Sequence, residues 1–383
     1  MIRLAQELAN DFFVVWFDAE SSLVTESANQ FEILLGMGVA IHEAAKVAGF
    51  RPRQKLADNL VNSLTKFVKT YEERKGFSLS LDQLGKQVCA FAFIAGTGAL
   101  AGPLAAGAAA VATGIAAATR LELGLNDKLV KTLELPANRQ AIMGALNNII
   151  ESTRKSAGKP LLVITDGLDK VSAARARQLF AESVLLAEPA CALVYTAPIE
   201  FYYRLVAEQA TNIFEESLLL PNPPVAKRPP TGEHWQMERE PHEEGLQVMC
   251  AVLTKRLVGR EKAVADIITA EAMNTLARAS GGVMRELIRL FRDATRIARL
   301  REVALIDDAI AQDVVGRKWQ EITPRLNTQH REALRLVLQK GELNGGPHAA
   351  TEDELLRSLY LLLYKEDQGE PWFDAYPGVL SLL

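Results

Sequence analysis

The chain has 383 residues, 49% of them hydrophobic and 23% charged, with 43 basic against 47 acidic side chains and a formal net charge of −4. These values describe a globular protein with room for two or three cores, and they exclude collagen-like, disordered and disulfide-scaffold classes. Cys89, Cys191 and Cys250 have no paired-cysteine metal spacing and point to a reducing, cytoplasmic compartment, while the slight acidic excess supplies no global basic field for nucleic acid.

Glu7 and Asp11 interrupt the start of the chain, which therefore lacks the charged, apolar and small-residue succession of a secretory signal. Residues 12–18, Phe-Phe-Val-Val-Trp-Phe-Asp, form a short apolar run that ends in an acid, as a buried parallel strand does. The pattern recurs at 160–166, 191–196 and 213–220, with helical stretches between. Strands alternating with helices predict an α/β domain built on a parallel sheet.

About 140 residues separate the first two strands, far more than a crossover needs, and most of them read as helix, including 28–48 and 52–75. The stretch from Val88 to Thr119 is Ala/Gly-rich and carries no charge. Its length suits a membrane span, whereas its sparse large apolar residues, five glycines and Pro103 suit a buried or partner-packed helical hairpin. Both readings stay open, so a membrane-associated form stands as the alternative to a cytoplasmic one.

A proline-rich break from Leu220 to Gly232 marks the clearest domain boundary. Beyond it, helices are expected over 242–258, 261–279 and 283–302. From Leu326 the pattern is a helix to Lys340, a Gly/Asn/His loop, a helix from Glu352, and two short strands at Tyr360–Tyr364 and Trp372–Ala375. Helices followed by a β-hairpin predict a winged helix. The division is then 1–222 for the α/β domain with its insertion at about 20–157, 233–322 for a helical lid, and 326–383 for the winged helix.

The most specific chemical signal is Leu161-Leu-Val-Ile-Thr-Asp166-Gly-Leu-Asp169-Lys170. A buried strand delivers one carboxylate at its tip and a second three residues later. In a nucleotide-hydrolysing site the first acid orients Mg²⁺ through water and the second polarises the attacking water, the form of a Walker B motif. The plainer reading is a strand ending in a solvated Asp-Gly turn. Thr196 ends the next strand, where a hydroxyl reaches a γ-phosphate or its attacking water, or else caps a helix before Pro198.

Further on, Ser280-Gly-Gly-Val-Met-Arg285 opens a helix and holds Arg285 in its first turn, where a guanidinium can clamp a phosphate bidentately. Arg289, Arg292, Arg296 and Arg299 follow at helical spacing, placing five arginines within roughly 80° of one another. The last three read as a solvated face, and Arg285 is the candidate ligand.

Together, Asp-Gly-Leu-Asp after a buried strand, the polar Thr196, the Gly-Gly-x-x-Arg helix start and the terminal winged helix resemble the AAA+/STAND class of P-loop ATPases. The likeness is to the bacterial origin-recognition-like and KAP-like branches, and it covers most of the chain outside the insertion. It implies a regulatory ATPase that binds ATP and Mg²⁺ and whose nucleotide state repositions the winged helix or a partner. By the same resemblance Asp166 is the Mg²⁺ acid, Asp169 the catalytic base, Thr196 the sensor-1 residue and Arg285 the sensor-2 arginine on the nucleotide. Inserted membrane helices and homo-oligomers also occur among proteins of this kind.

One departure stands against the resemblance. No Gly-x-x-x-x-Gly-Lys-Ser/Thr loop occurs anywhere in the sequence, because Gly85-Lys86 is followed by Gln87 and Gly158-Lys159 by Pro160. In the family's sheet order, five-one-four-three-two, the strands at 12–18, 160–166, 191–196 and 213–220 match all but the central first strand. The helix after the phosphate loop is matched by Ile2 to Ala9, so Met1 falls just past the expected loop. The expectation is an incomplete P-loop sheet, truncated before its Walker A part. The alternative is a non-enzymatic interaction scaffold with a degenerate nucleotide domain.

Other chemistries rank lower. His42, His234, His242, His330 and His348 have no zinc spacing, and no Gly-x-Ser-x-Gly elbow exists. The module from Leu326 carries five basic and nine acidic side chains, which disfavours phosphate contacts by the winged helix and favours a protein partner.

Overall fold

The computed structural model describes residues 6–23, 28–50, 53, 55–60, 62–63, 136–202, 210, 212–229, 232, 238–257, 263–366, 369–380 and 382–383. The Val88 to Thr119 stretch, Cys89 and most of the helix expected at 52–75 lie outside them. The chain forms two compact units, Met1–Ser217 and Leu218–Leu383.

The first unit is built on a three-stranded parallel sheet of order β1-β2-β3, with β1 Phe13–Asp18, β2 Leu161–Asp166 and β3 Ala192–Tyr195. β1 and β2 are buried along their apolar runs on both faces, which is why they read as unbroken hydrophobic segments. A four-residue helix, α1 (Ala19–Ser22), follows β1, and then comes α2 (Gln30–Val47). Asn29 and Glu32 close a capping box at the start of α2, satisfying N–H groups that the helix cannot. Every residue of α2 from Gln30 to Ala45 is buried, as expected of a helix that is apolar all round. It lies close to the sheet because Gly36 leaves room for the Phe17 ring, which a Cβ there would meet at 2.4 Å.

Helix α3 (Pro136–Ala157) packs beside α2, and α4 (Ala173–Phe180) and α5 (Ile199–Tyr202) flank β2 and β3 in sequence. Phe31, Leu34, Leu146, Val163 and Leu179 belong to the shared core. The adjacency and parallel sense of the first three strands follow the expected order. The fourth strand, expected at 213–220, does not form. Residues 214–220 have no regular structure, and Leu218 and Leu220 are 81% and 87% exposed. Among the described residues no strand pairs with the outer edge of β3, so this segment has no ladder to extend.

The second unit holds helices α6 (Glu243–Leu257), α7 (Ala270–Ala279), α8 (Met284–Leu300), α9 (Asp308–Ile322), α10 (Thr328–Lys340) and α11 (Ala349–Arg357). An antiparallel hairpin, β4 (Leu361–Tyr364) with β5 (Trp372–Ala375), and the short α12 (Pro377–Leu380) complete it. Met249, Leu276, Leu287, Leu290, Ile310 and Val314 are buried in one cluster beneath α6–α9. The helix expected over 261–279 is shorter than its pattern. Thr269 accepts a hydrogen bond from the Ala272 N–H and starts α7 there, while Ile268 bridges to Ile306 ahead of it.

The terminal helix–helix–hairpin arrangement is present. Trp372, Phe373 and Tyr376 are buried in its packing. Among the described residues no helix is long and apolar enough to cross a membrane.

Candidate functional site

β1 and β2 run parallel in register from Phe13 opposite Leu161 to Asp18 opposite Asp166. Each strand is buried until its last residue and then turns into a partly exposed aspartate. Two carboxylates therefore stand level at the C-terminal ends of adjacent strands, the edge at which open parallel sheets bind ligands.

The turn after β2 sets the second acid. Gly167 adopts φ 87°, and a Cβ there would lie 2.7 Å from the backbone nitrogen of Glu20. Only glycine lets the β2 end approach α1 so closely. The Gly167 N–H donates to Asp166 Oδ1 at 3.0 Å, and the 3-10 turn Leu168–Lys170 then carries Asp169 on its exposed side. Lys170 is ion-paired with Glu20 on α1. Asp18 accepts a hydrogen bond from the Ser21 N–H at 3.2 Å, capping α1.

Burial pushes the Asp166 carboxyl above its ordinary range; the Gly167 N–H opposes this shift, and the negative charges of Asp169 and Asp18 add to it. A carboxyl held up by burial, and further by like-charged neighbours, is one that a cation would relieve.

Thr196 closes the same edge from β3. Its N–H donates to the Thr165 carbonyl at 3.1 Å, and its Oγ1 accepts from the Leu168 N–H at 3.1 Å. The hydroxyl thus braces the turn between Asp166 and Asp169 while its own proton remains to be donated.

Asp166, Asp169 and Thr196 consequently share one strand end. Asp18 joins them although sequence reasoning did not count it as a site residue. Its signal was the acid that ends β1 just as Asp166 ends β2. Arg285 belongs to the second unit, in the first turn of α8, where it is exposed. Its preceding glycines have a packing reason. Gly281 and Gly282 have φ 62° and 76°, and a Cβ on them would lie 2.6 Å from Leu362 and 2.0 Å from the Pro223 carbonyl oxygen.

Among the described residues, burial pushes the Cys191 thiol up to about 12 and also raises that of Cys250, which disfavours their thiolates. Among the described residues no group of three His, Cys, Asp or Glu side chains could hold a metal ion by itself.

No protein-family model matches the chain, and no curated protein matches it. Among solved structures it is similar to a RuvB variant from Thermotoga maritima, with 13% identity over 63% of this chain and 82% of that one and a TM-score of 0.28. A second RuvB variant from the same organism gives 12% identity over 64% and 81%, with a TM-score of 0.29. The likeness to RuvB, an AAA+ ATPase, is distant and assigns no residue of this chain a role.

Proposed function

We propose that this chain works as an AAA+/STAND-type nucleotide switch whose Mg²⁺-dependent site is the strand edge of Asp18, Asp166, Asp169 and Thr196. The supporting observation is the in-register delivery of Asp18 and Asp166 at adjacent parallel strand ends, with Asp169 on the turn that follows. The residues fit such a metal. Mg²⁺ takes one or two protein carboxylates and completes its shell with water and phosphate oxygens, so a closed protein cage is not required. Asp166, with Asp18 beside it, would hold the ion through water, and the ion when bound would offset charge on the phosphates. Asp169, exposed and acidic, would accept a proton from a water. Thr196 fixes the Asp166–Asp169 turn and offers a hydroxyl proton. Arg285, exposed in the first turn of α8, is the candidate for a phosphate contact in its own unit, and the work would be a change of conformation passed to a protein partner.

The scaffold reading is favoured by one observation: the sequence contains no Walker A loop, so the 383 residues include no phosphate cradle.

The metal site has its own test. With its pKa raised on folding, Asp166 lowers stability when ionised. Its contribution therefore improves as pH falls through the folded pKa, opposite to a salt-bridged carboxylate. Asp166→Asn, which removes the buried charge, is expected to raise the metal-free stability slightly, solvent screening keeping the gain small. Thermal unfolding with and without Mg²⁺ measures this. The wild-type midpoint should rise with Mg²⁺ and that of the variant should not respond. A wild type indifferent to Mg²⁺, together with a destabilised variant, would count against the site.

A further inference from the structure

Helix α8 buries Leu287, Leu290, Ala294 and Ile297 in the core of the second unit and turns Arg285, Arg289, Arg292, Arg296 and Arg299 outward. Every cation on that face is arginine, and the face has few acids to answer them. Arg289 pairs with the buried Glu286, which Lys318 also approaches at 3.2 Å. Asp293 reaches Arg292 only at 3.9 Å, and the two arginine side chains Arg289 and Arg292 are 51% and 73% exposed. Among the described residues no carboxylate lies within ion-pair distance of Arg285, Arg296 or Arg299.

The row has a physical cost. Each successive pair stands three or four residues apart, the spacing at which like charges on a helix repel. Solubility alone does not call for this arrangement, because alternating signs at the same spacing would serve it better. Elsewhere in the unit some arginines share an acid, as where Arg301 and Arg317 both pair with Asp313. On the α8 face, among the described residues, only Glu286 and Asp293 come within ion-pair distance of the five arginines.

From Arg289 to Arg299 the helix rises about 15 Å. One strand of a duplex presents a phosphate about every 3.4 Å along its axis, so about five phosphates fall within the length that the four arginines span, enough for each arginine to meet one. The planar guanidinium fork engages a phosphate by two hydrogen bonds, which a flexible lysine does not. We infer that the outer face of α8 is a docking surface for the phosphodiester backbone of a nucleic acid. It reads charge and spacing, not base sequence. This surface is separate from the acidic winged-helix module and does not depend on the nucleotide-switch reading.

The test is fluorescence anisotropy of a labelled DNA duplex with the intact chain as salt is raised from about 50 to about 200 mM. Four phosphate contacts predict a slope of log affinity on log salt near −3.6, which is about a hundredfold loss over that range. In the triple variant Arg292→Gln, Arg296→Gln, Arg299→Gln the slope should fall to about −1, with affinity at the lowest salt down at least tenfold. Its melting midpoint should not drop, because like-charge neighbours have been removed. Absence of binding at the lowest salt would overturn the inference, as would a triple variant with unchanged slope. Polyglutamate competing as well as unlabelled duplex would overturn it too, by making the face a site for acidic protein. Arg285 is intact in this variant, so a defect in nucleotide binding and a defect in duplex binding are distinguishable.

Discussion

Replacing Asp374 with alanine lowers the stability of the C-terminal unit by about 3–5 kcal/mol, the range for stranding one member of a buried ion pair. Asp374 lies within β5 and is 4% exposed. Its carboxylate accepts from Arg239 Nε at 2.8 Å and Nη2 at 2.9 Å, and from the Ala375 N–H at 2.8 Å. Burial pushes its pKa up, and the paired Arg239 guanidinium opposes that shift. In the alanine variant the guanidinium, whose side chain is only 10% exposed, loses its counter-charge while still held from water. The pair ties the segment before α6 to the terminal hairpin, so its loss should also loosen the hairpin. Urea unfolding followed by Trp fluorescence measures the change. The double variant Arg239→Met, Asp374→Leu should recover most of the loss, since an apolar pair of similar volume often matches a buried salt bridge. If Asp374→Ala alone costs under about 1 kcal/mol, the pair is solvated and the packing described here is wrong.

Gly282→Ala should destabilise the same unit by about 2–5 kcal/mol. Part of this comes from the left-handed φ of 76°, which costs an L-residue roughly 1–2 kcal/mol. The rest comes from a Cβ 2.0 Å from the Pro223 carbonyl oxygen, where backbone must move at a cost of about 1–3 kcal/mol. The turn is further held by the Tyr364 hydroxyl, which donates to the Gly281 carbonyl at 2.8 Å. Gly316→Ala is the matched control. That glycine is inside α9 with nothing within 4 Å of a Cβ, so alanine should stabilise the helix by up to about 1 kcal/mol. Chemical denaturation of the two variants should thus give opposite signs. Equal effects would show that the Gly282 turn is not packed as described.

The contrast between these glycines shows why the sequence was only partly legible. Gly281-Gly282 reads locally as the start of a helix carrying a phosphate-binding arginine. Its reason in the fold is long-range: Leu362 and Pro223 press on the turn, and no local pattern reveals either. The strands β1 and β2 were readable because burial on both faces leaves continuous apolar runs that end in polar residues, and the half-exposed β3 was readable from its apolar run before Thr196. Segment 213–220 has the composition of a fourth strand, yet composition cannot tell whether a neighbour is there to pair with it. Trp372–Ala375 was legible to the residue because the turn before it punctuates the pattern. Helix α9 was not named from the sequence although its cap is plain in retrospect, with Asp307 Oδ1 accepting from the Ile310 N–H. Asp18 was overlooked for a related reason. Attention to Asp-Gly-Leu-Asp placed the chemistry on β2 alone, whereas the register of β1 on β2 makes the two acids equivalent in height.

The central claim is that the Asp18–Asp166–Asp169 edge serves a nucleotide. Calorimetric titration of Mg²⁺-ATP into the 383-residue chain, and into a longer form bearing a Gly-x-x-x-x-Gly-Lys-Ser/Thr loop, tests it most directly. The account predicts binding heat from the longer form, lost in its Asp166→Asn variant, and none from the 383 residues alone. No binding by either form, with both folded, would contradict it and leave the strand edge as part of a nucleotide-free scaffold.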